Sequence, residues 1–348
     1  MKSLRQWPAA LAALALFLQI PAVASEGDAS FSHDVEGTAR PWTDAPFDAE
    51  DGKFTFAVVS DLTGGERPRV FDIAIAQLNL LRPEFVVSVG DLVEGAERRP
   101  EIEAQRDAFD SRAGRAKARF FRVGGNHDLT GPVAQETWDE WYGRRYYHFR
   151  YRDVLFLILD TEDTTPERTR EIDRLYREAM DVVHEKGWGA FSDTAYAALP
   201  EYDAGAISPA QSRYFVDVIA ANPDVRWTFL FMHKAAWERE GEQNFAAIES
   251  ALAGRPYTVF HGHKHAYRYL RRLGRDYIRL ATTGGVQLPY NGRSFDQVAL
   301  VTVDGSAVDI ANLALSGVLN KAGKVPLDGD DVCFEKAVCG PEEPKAEK

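Results

Sequence analysis

Short apolar runs alternate with longer amphipathic or charged stretches along the middle of the chain, and each run stops at polar residues. The run 54–60 ends at Asp61, 85–90 ends at Asp91, and 120–124 leads into Gly125-Asn126-His127-Asp128. Farther on, 154–159 ends at Asp160, 227–232 ends at His233, and 257–260 leads into His261-Gly262-His263-Lys264-His265. Apolar runs of this length read as strands, and their alternation with helical stretches predicts an α/β domain. In open α/β sheets, ligand sites gather beyond the carboxyl ends of the strands. The polar termini are therefore expected to converge on one site.

Residues 70–81 are apolar around most of a helical circumference and stop before Pro83, which predicts a buried crossover helix. Residues 98–118 are heavily charged and predict a helix on the surface. Ser208-Pro209-Ala210-Gln211 has the form of a capping box with proline at the first helical position, so a helix is expected to run to about Ala221. Another is predicted over 243–253. The stretch 164–207 is long for a simple connection. Its part 166–185 reads as a charged helix, and the whole reads as an insertion in a main domain, 53–315, that shapes the substrate mouth. No internal repeat or domain-splitting linker is evident.

The ends have a different character. Lys2 and Arg5 precede an apolar stretch, 8–20, and Ala22-Val23-Ala24 supplies a small-x-small cleavage pattern. Residues 1–24 thus read as a signal peptide, which predicts a secreted or periplasmic protein. The apolar stretch is shorter than the ~20 residues a spanning helix needs, so no stable membrane anchor is expected. Residues 25–52 read as an extended lead-in segment, in which His33 is expected to be solvated. From about residue 316 the strand pattern fades into a tail, 316–348. Within it Cys333 and Cys339 either close a small disulfide loop or stay as free thiols.

Composition narrows the chemistry. With 348 residues and 45% of them hydrophobic, the chain can bury a large core. The 41 basic residues against 53 acidic ones leave a formal charge of −12, which argues against a nucleic-acid partner. The cluster Arg144-Arg145-Tyr146-Tyr147-His148 does not reverse that balance. Two cysteines are too few for a cysteine-based zinc site, so any metal chemistry must use His, Asp, Glu and Asn. No Gly-x-Ser-x-Gly elbow is present, which sets a serine hydrolase aside.

Asp61-Leu62-Thr63, Gly90-Asp91, Gly125-Asn126-His127-Asp128, His233 and Gly262-His263-Lys264-His265, taken in that order, resemble the signature of the calcineurin-like metallophosphoesterases. The resemblance implies a four-layer α/β/β/α sandwich with two divalent metal ions, manganese, iron or zinc. It assigns Asp61, Asp91 and His265 to the first metal, and Asp91, Asn126, His233 and His263 to the second, with Asp91 as bridge. The metals would hold a hydroxide between them and clamp the phosphoryl oxygens. His127 would be the general acid, and Asp128 either orients its imidazole or merely caps a turn. Four of the eight histidines occupy these motif positions. His263 and His265, two apart in an extended segment, would project to one face, with Gly262 permitting the turn that aims them.

One position departs from the family pattern. The first motif is usually Asp-x-His with its histidine a metal ligand, and here Thr63 stands in that place, followed by Gly64-Gly65. A hydroxyl is a poorer donor than imidazole. The first site is therefore expected to bind more weakly, use water, or prefer a harder ion. Gly64-Gly65 either lets backbone N–H groups approach a phosphate or forms a tight turn. Purple acid phosphatases, a branch of the same fold, carry a tyrosine three residues after the bridging aspartate, where this chain has Glu94, so no ferric-tyrosinate centre is expected. Glu94 is then either second-sphere or solvated. His261 is read as a substrate contact or as a sheet hydrogen-bonding residue, Asp160 as a turn residue or one that orients a ligand, and Lys234 as solvated or phosphate-binding. The function implied is an exported metal-dependent phosphoesterase acting on a small phosphate mono- or diester. The alternative is an impaired member of the fold that binds a phosphorylated ligand.

Overall fold

The computed structural model describes residues 30–47 and 52–335. The expected signal peptide, Cys339 and the end of the tail lie outside these residues. In chain order the elements are β1 (Phe31–His33), β2 (Lys53–Val59), α1 (Val70–Leu81), β3 (Phe85–Ser88), α2 (Arg99–Ala113), β4 (Arg119–Phe121), α3 (Asn126–Leu129) and α4 (Pro132–Tyr142). Next come β5 (Tyr147–Tyr151), β6 (Val154–Ile158), α5 (Pro166–Lys186), α6 (Pro200–Asp203), α7 (Pro209–Ala221) and β7 (Trp227–Phe231). The last are α8 (Asn244–Ala251), β8 (Tyr257–His261), β9 (Arg268–Arg272), β10 (Arg275–Arg279), β11 (Gln297–Asp304) and β12 (Ala307–Ala314).

The strands form a seven-stranded sheet in the order β1-β5-β6-β7-β8-β10-β9 and a five-stranded sheet in the order β12-β11-β2-β3-β4. The motif-bearing strands β2, β3 and β4 pair in parallel, as do β6, β7 and β8, so their carboxyl ends lie along common edges. The apolar runs are continuous because both faces of these strands are covered. In β2, Phe54, Phe56 and Val58 enter the core between the sheets, whereas Ala57 and Val59 pack against the helix layer with Val70, Ile73 and Leu78 of α1. On the outer face of the other sheet, Phe215 and Ile219 of α7 and Phe245 and Ile248 of α8 cover Leu155, Leu157 and Leu230. The result is the α/β/β/α sandwich. Aromatic stacking fills its middle: Phe149 lies 4.0 Å from Phe121 and 4.6 Å from Phe156, ring centroid to centroid.

The helix starts and stops follow local chemistry. Ser208 accepts the N–H of Gln211 at 3.1 Å and caps α7, with Pro209 supplying a first-turn residue that needs no N–H partner. α1 ends at Arg82 in a left-handed conformation just before Pro83. α2 is shorter than the charged stretch that predicts it, because Gly114 ends it.

One expectation about the ends, a solvated His33, is corrected. In the lead-in segment Phe31–His33 pairs antiparallel with β5, and Phe31, Val35 and Trp42 enter the core. His33 is buried, accepts the N–H of Val35 at 3.2 Å, and lies 4.7 Å from the Trp42 ring. A short segment with alternate aromatic residues gains more from edge pairing than its polar composition suggests. In the tail, Val325 and Phe334 pack into the core beside α1, and Cys333 is disulfide-bonded. Among the described residues no helix is long and apolar enough to cross a membrane.

Phe156 touches the rings of Phe56, Phe85, Phe149, Phe229 and Phe231, which joins both sheets. Phe156→Ala is expected to lower unfolding free energy by about 3 to 5 kcal/mol, read from denaturant melts; a loss under about 1 kcal/mol would show that the stack closes around the cavity.

Candidate metal centre

Beyond the ends of β2, β3, β7 and β8 the chain brings its buried acids and histidines together. Two groups have ligand atoms within 4.8 Å of one another: Asp61, Asp91 and His265, and Asp91, His233 and His263. Asp91 belongs to both. Asn126 joins the second group, since its Oδ1 lies 3.0 Å from His233 Nε2. These are the residues that the resemblance implies, divided in the same way.

Backbone carbonyls decide which nitrogen each imidazole turns inward. His233 Nδ1–H donates to Val89 O at 2.9 Å, so its Nε2 faces Asp91 Oδ2 at 3.2 Å and Asn126 Oδ1 at 3.0 Å. His265 Nδ1–H donates to Val286 O at 2.5 Å, and its Nε2 lies 3.4 Å from Asp61 Oδ1. His263 Nε2–H donates to Tyr202 O at 2.7 Å, which leaves Nδ1 as its free donor atom. Lone pairs therefore face lone pairs in a buried pocket, an arrangement that repels itself unless a proton or a cation lies between. Imidazole and carboxylate donors of this kind suit first-row divalent metals. The residues present thus fit the metal ions that the fold implies.

Without a cation, protons carry the compensation. Burial opposes a charge on His233, but Asp91 outweighs it and raises the pKa to about 9. Burial alone would raise Asp91; the surrounding imidazoles, His233 foremost, hold it far below the carboxylate range. Asp61 is pushed up by burial, with His265 and His233 acting against that. His263 is pushed well down by burial and by the Lys234 charge, so it stays a neutral donor.

The local backbone shows what this convergence costs. Asp91, His263 and His265 have φ of 56°, 74° and 49°, left-handed values uncommon for residues with a side chain. The segment after β8 is therefore not extended. Two left-handed residues aim His263 and His265 into different groups, and Gly262 has another role: a Cβ there would lie 2.3 Å from Asp61 Oδ2. The glycine lets the β8 turn approach the first aspartate. The N–H of His263 then donates to Asp61 Oδ1 at 2.8 Å.

His127 sits at the rim. Its Nδ1–H donates to Glu94 O at 2.8 Å, and its own N–H donates to Asp91 Oδ1 at 3.0 Å. Burial lowers its basicity, but the Asp91 charge and the Glu94 carbonyl more than offset this and its pKa is raised. Asp128 does not orient the imidazole. Its carboxylate accepts backbone N–H groups of Leu92, Val93 and Gly125 at 2.8–3.2 Å, which ties the β3 and β4 loops together. Burial raises its pKa to about 7.

The Thr63 hydroxyl is committed elsewhere too. It donates to Val93 O at 2.8 Å and lies 3.2 Å from Asp91 O, so the first group has no fourth ligand from this position. Gly64 and Gly65, both left-handed, turn their N–H groups and that of Glu66 toward the Glu94 carboxylate at 2.7–3.2 Å. Of the two readings of Gly64-Gly65, the turn is the one seen, and the amides that the other reading offered to a phosphate are filled from within. Gly64 itself is packed against the site: a Cβ there would lie 3.0 Å from His265 Cε1 and 3.5 Å from His127 Nε2.

The remaining candidates lie outside the centre. His261 is buried edge-on to Trp237, 5.0 Å between centroids, and burial brings its pKa down to about 3. Lys234 is buried rather than solvated, and pairs with Glu162 at 2.9 Å. Asp160 Oδ1 accepts the N–H of Glu162 at 2.8 Å, as a turn residue does. Arg144 and His148 meet Asp34, Arg145 meets Asp139 and the buried Asp160, and Tyr147 lies in the core, so that cluster is engaged within the chain. Sequence reading missed Glu94 as an amide partner and the carbonyls of Val89, Tyr202 and Val286. A glycine pair followed by an acid 29 residues after Gly65 is a faint signal for the first, and carbonyls carry none.

Residues 54–279 match the family model for calcineurin-like phosphoesterase. No curated protein matches the chain. Among solved structures, the purple acid phosphatase PPD1 from yellow lupin (Lupinus luteus) seeds is 12% identical with a TM-score of 0.52, over 79% of this chain and 54% of that one. PhoD is 12% identical with a TM-score of 0.51, over 78% of this chain and 68% of that one. At such identities the likeness is one of fold. The family match extends over most of the chain and contains every candidate metal ligand, so this protein belongs to the calcineurin-like phosphoesterase family.

Proposed function

We propose that the protein is an exported hydrolase of a small phosphate mono- or diester that works with two divalent cations. The observation that carries the reading is the pair of ligand groups sharing Asp91, with His127 at their rim. Asp61, Asp91 and His265 would hold one cation, and Asp91, Asn126, His233 and His263 the other; manganese, iron or zinc would suit these donors. Such ions, when bound, polarise phosphoryl oxygens and activate an attacking water.

The chain's own residues supply the rest. The Glu94 carbonyl fixes the proton of His127 on Nδ1, so Nε2 is the nitrogen that holds or releases a proton beside the site. A proton given from Nε2 to the departing ester oxygen removes the negative charge that would otherwise slow bond cleavage. Glu94 and Thr63 join the loops after β2 and β3, the loops that carry Asp61 and Asp91. Export is supported by the character of residues 1–24 and by the disulfide at Cys333, which suits an oxidising compartment. The acidic balance supports a small substrate over a nucleic acid.

A second reading is a module that binds a phosphorylated ligand without turning it over. Its support is the Thr63 hydroxyl turned to Val93 O, which leaves three protein ligands in the first group.

Two experiments separate these readings. His127→Ala is expected to cut turnover of alkyl phosphate esters by about a hundredfold to ten-thousandfold while metal content stays at the wild-type level; equal turnover would remove His127 from the chemistry. Thr63→His should raise zinc affinity at the first group while costing about 1 kcal/mol of stability for the lost carbonyl bonds. Isothermal titration with zinc and a denaturant melt check both, and unchanged affinity would show that Thr63 does not limit that group.

A further inference from the structure

The insertion between β6 and α7 ends in α6, a single turn, and that turn is tied down by buried charges. Glu201 is 5% exposed, and its carboxylate takes Arg168 Nη2 at 2.7 Å, Arg168 Nε at 3.2 Å and Arg239 Nη2 at 2.8 Å. Burial would raise the pKa of Glu201, but the two guanidinium groups outweigh it and hold it at about 2. The backbone is fastened as well: Lys234 Nζ donates to Glu201 O at 2.8 Å while also pairing with Glu162. The next residue is Tyr202, whose carbonyl accepts His263 Nε2–H at 2.7 Å. Asp203 completes the turn by pairing with Lys264, the neighbour of His263.

Ion pairs along α5 use the exposed carboxylates of Glu167, Glu171 and Glu178, whereas the one on α6, Glu201, is buried. The insertion's own core, built on Ile172, Ala179 and Tyr196, already packs it together. Burying several charges is costly unless their geometry is exact enough to compensate, and the geometry here converges on the carbonyl that sets one imidazole.

We propose that α6 is the support that holds His263 with Nδ1 toward its cation, and that Arg168 and Arg239, through Glu201, are positioning residues for that ligand. The carbonyls that accept the Nδ1–H groups of His233 and His265, those of Val89 and Val286, lie outside the insertion. The insertion thereby holds His263 through a main-chain bond that His265, bonded to Val286 O, does not share. The proposal rests on His263 being a cation ligand, and its test separates the two.

The test uses full-length protein with ¹⁵N-labelled histidine, stripped of metal and titrated with zinc, with the His263 and His265 imidazole signals followed separately. The wild type should show His263 protonated at Nε2 before zinc is added. In Arg168→Ala the zinc concentration that saturates His263 should rise about tenfold or more, as for other supports of metal-bound histidines, with His265 within about twofold. Arg168→Lys keeps the charge on a half-exposed helix position, folds without the fork, and should show a smaller shift in the same direction. Tyr202→Phe keeps the carbonyl and should titrate like wild type. If His263 saturates at the wild-type zinc concentration in folded Arg168→Lys and Arg168→Ala, or if His263 and His265 weaken together, the supporting role of α6 is overturned. A wild-type His263 signal that zinc leaves unmoved would overturn the ligand reading, and the proposal with it.

Discussion

Asp91 is a fully enclosed carboxylate that belongs to both ligand groups, and the rest of the centre is arranged around the charge it carries. A buried carboxylate without compensation costs several kcal/mol or more. Here three imidazoles, an amide oxygen and a second aspartate surround the same small volume, so their lone pairs need a positive charge between them. The strands exist to deliver these groups: β2 and β3 bring the aspartates from one sheet, and β7 and β8 bring histidines from the other. Two sheets stacked on an aromatic core hold that convergence rigid from below. The centre is thus a place where folding free energy from the core offsets a local repulsion.

Orientation comes from the backbone. Each of His233, His263 and His265 gives one N–H to a main-chain carbonyl, and the other nitrogen is left to face the carboxylates. A carbonyl holds a ring more firmly than a mobile side chain would, because its position is fixed by the strand end or turn that carries it. The left-handed conformations at Asp91, His263 and His265 belong to the same economy. Each costs something locally, and each persists because neighbouring bonds over-determine it.

Where the family pattern has a histidine, this chain has built a braced turn. Thr63 bonds the loop after β3, and Glu94 from that loop fills the amide cluster at Gly64, Gly65 and Glu66. In both contacts the loop after β2 donates and the loop after β3 accepts, one through a threonine side chain and the other through a glutamate side chain, so the loops are joined at two points. Gly64, in that turn, is so close to the centre that a Cβ would lie 3.0 Å from His265 Cε1.

The sequence by itself determined the strands and most helices, the order of the motif residues and, through the family resemblance, an expected division of candidate metal ligands between two groups. Apolar runs covered on both faces and a capping residue such as Ser208 are local features, so they are legible one segment at a time. Only the tertiary structure decided that Asp128 ties loops instead of orienting His127, that Lys234 is buried against Glu162, that His33 enters the core, and that Glu94 occupies the Gly64-Gly65 amides. It alone supplied the Tyr202 carbonyl to His263, across 61 residues. The physical reason is common to all of these: such roles are set by partners distant in the chain, most of them backbone groups that every residue type carries, and no side-chain pattern encodes where a main-chain N–H or C=O will point.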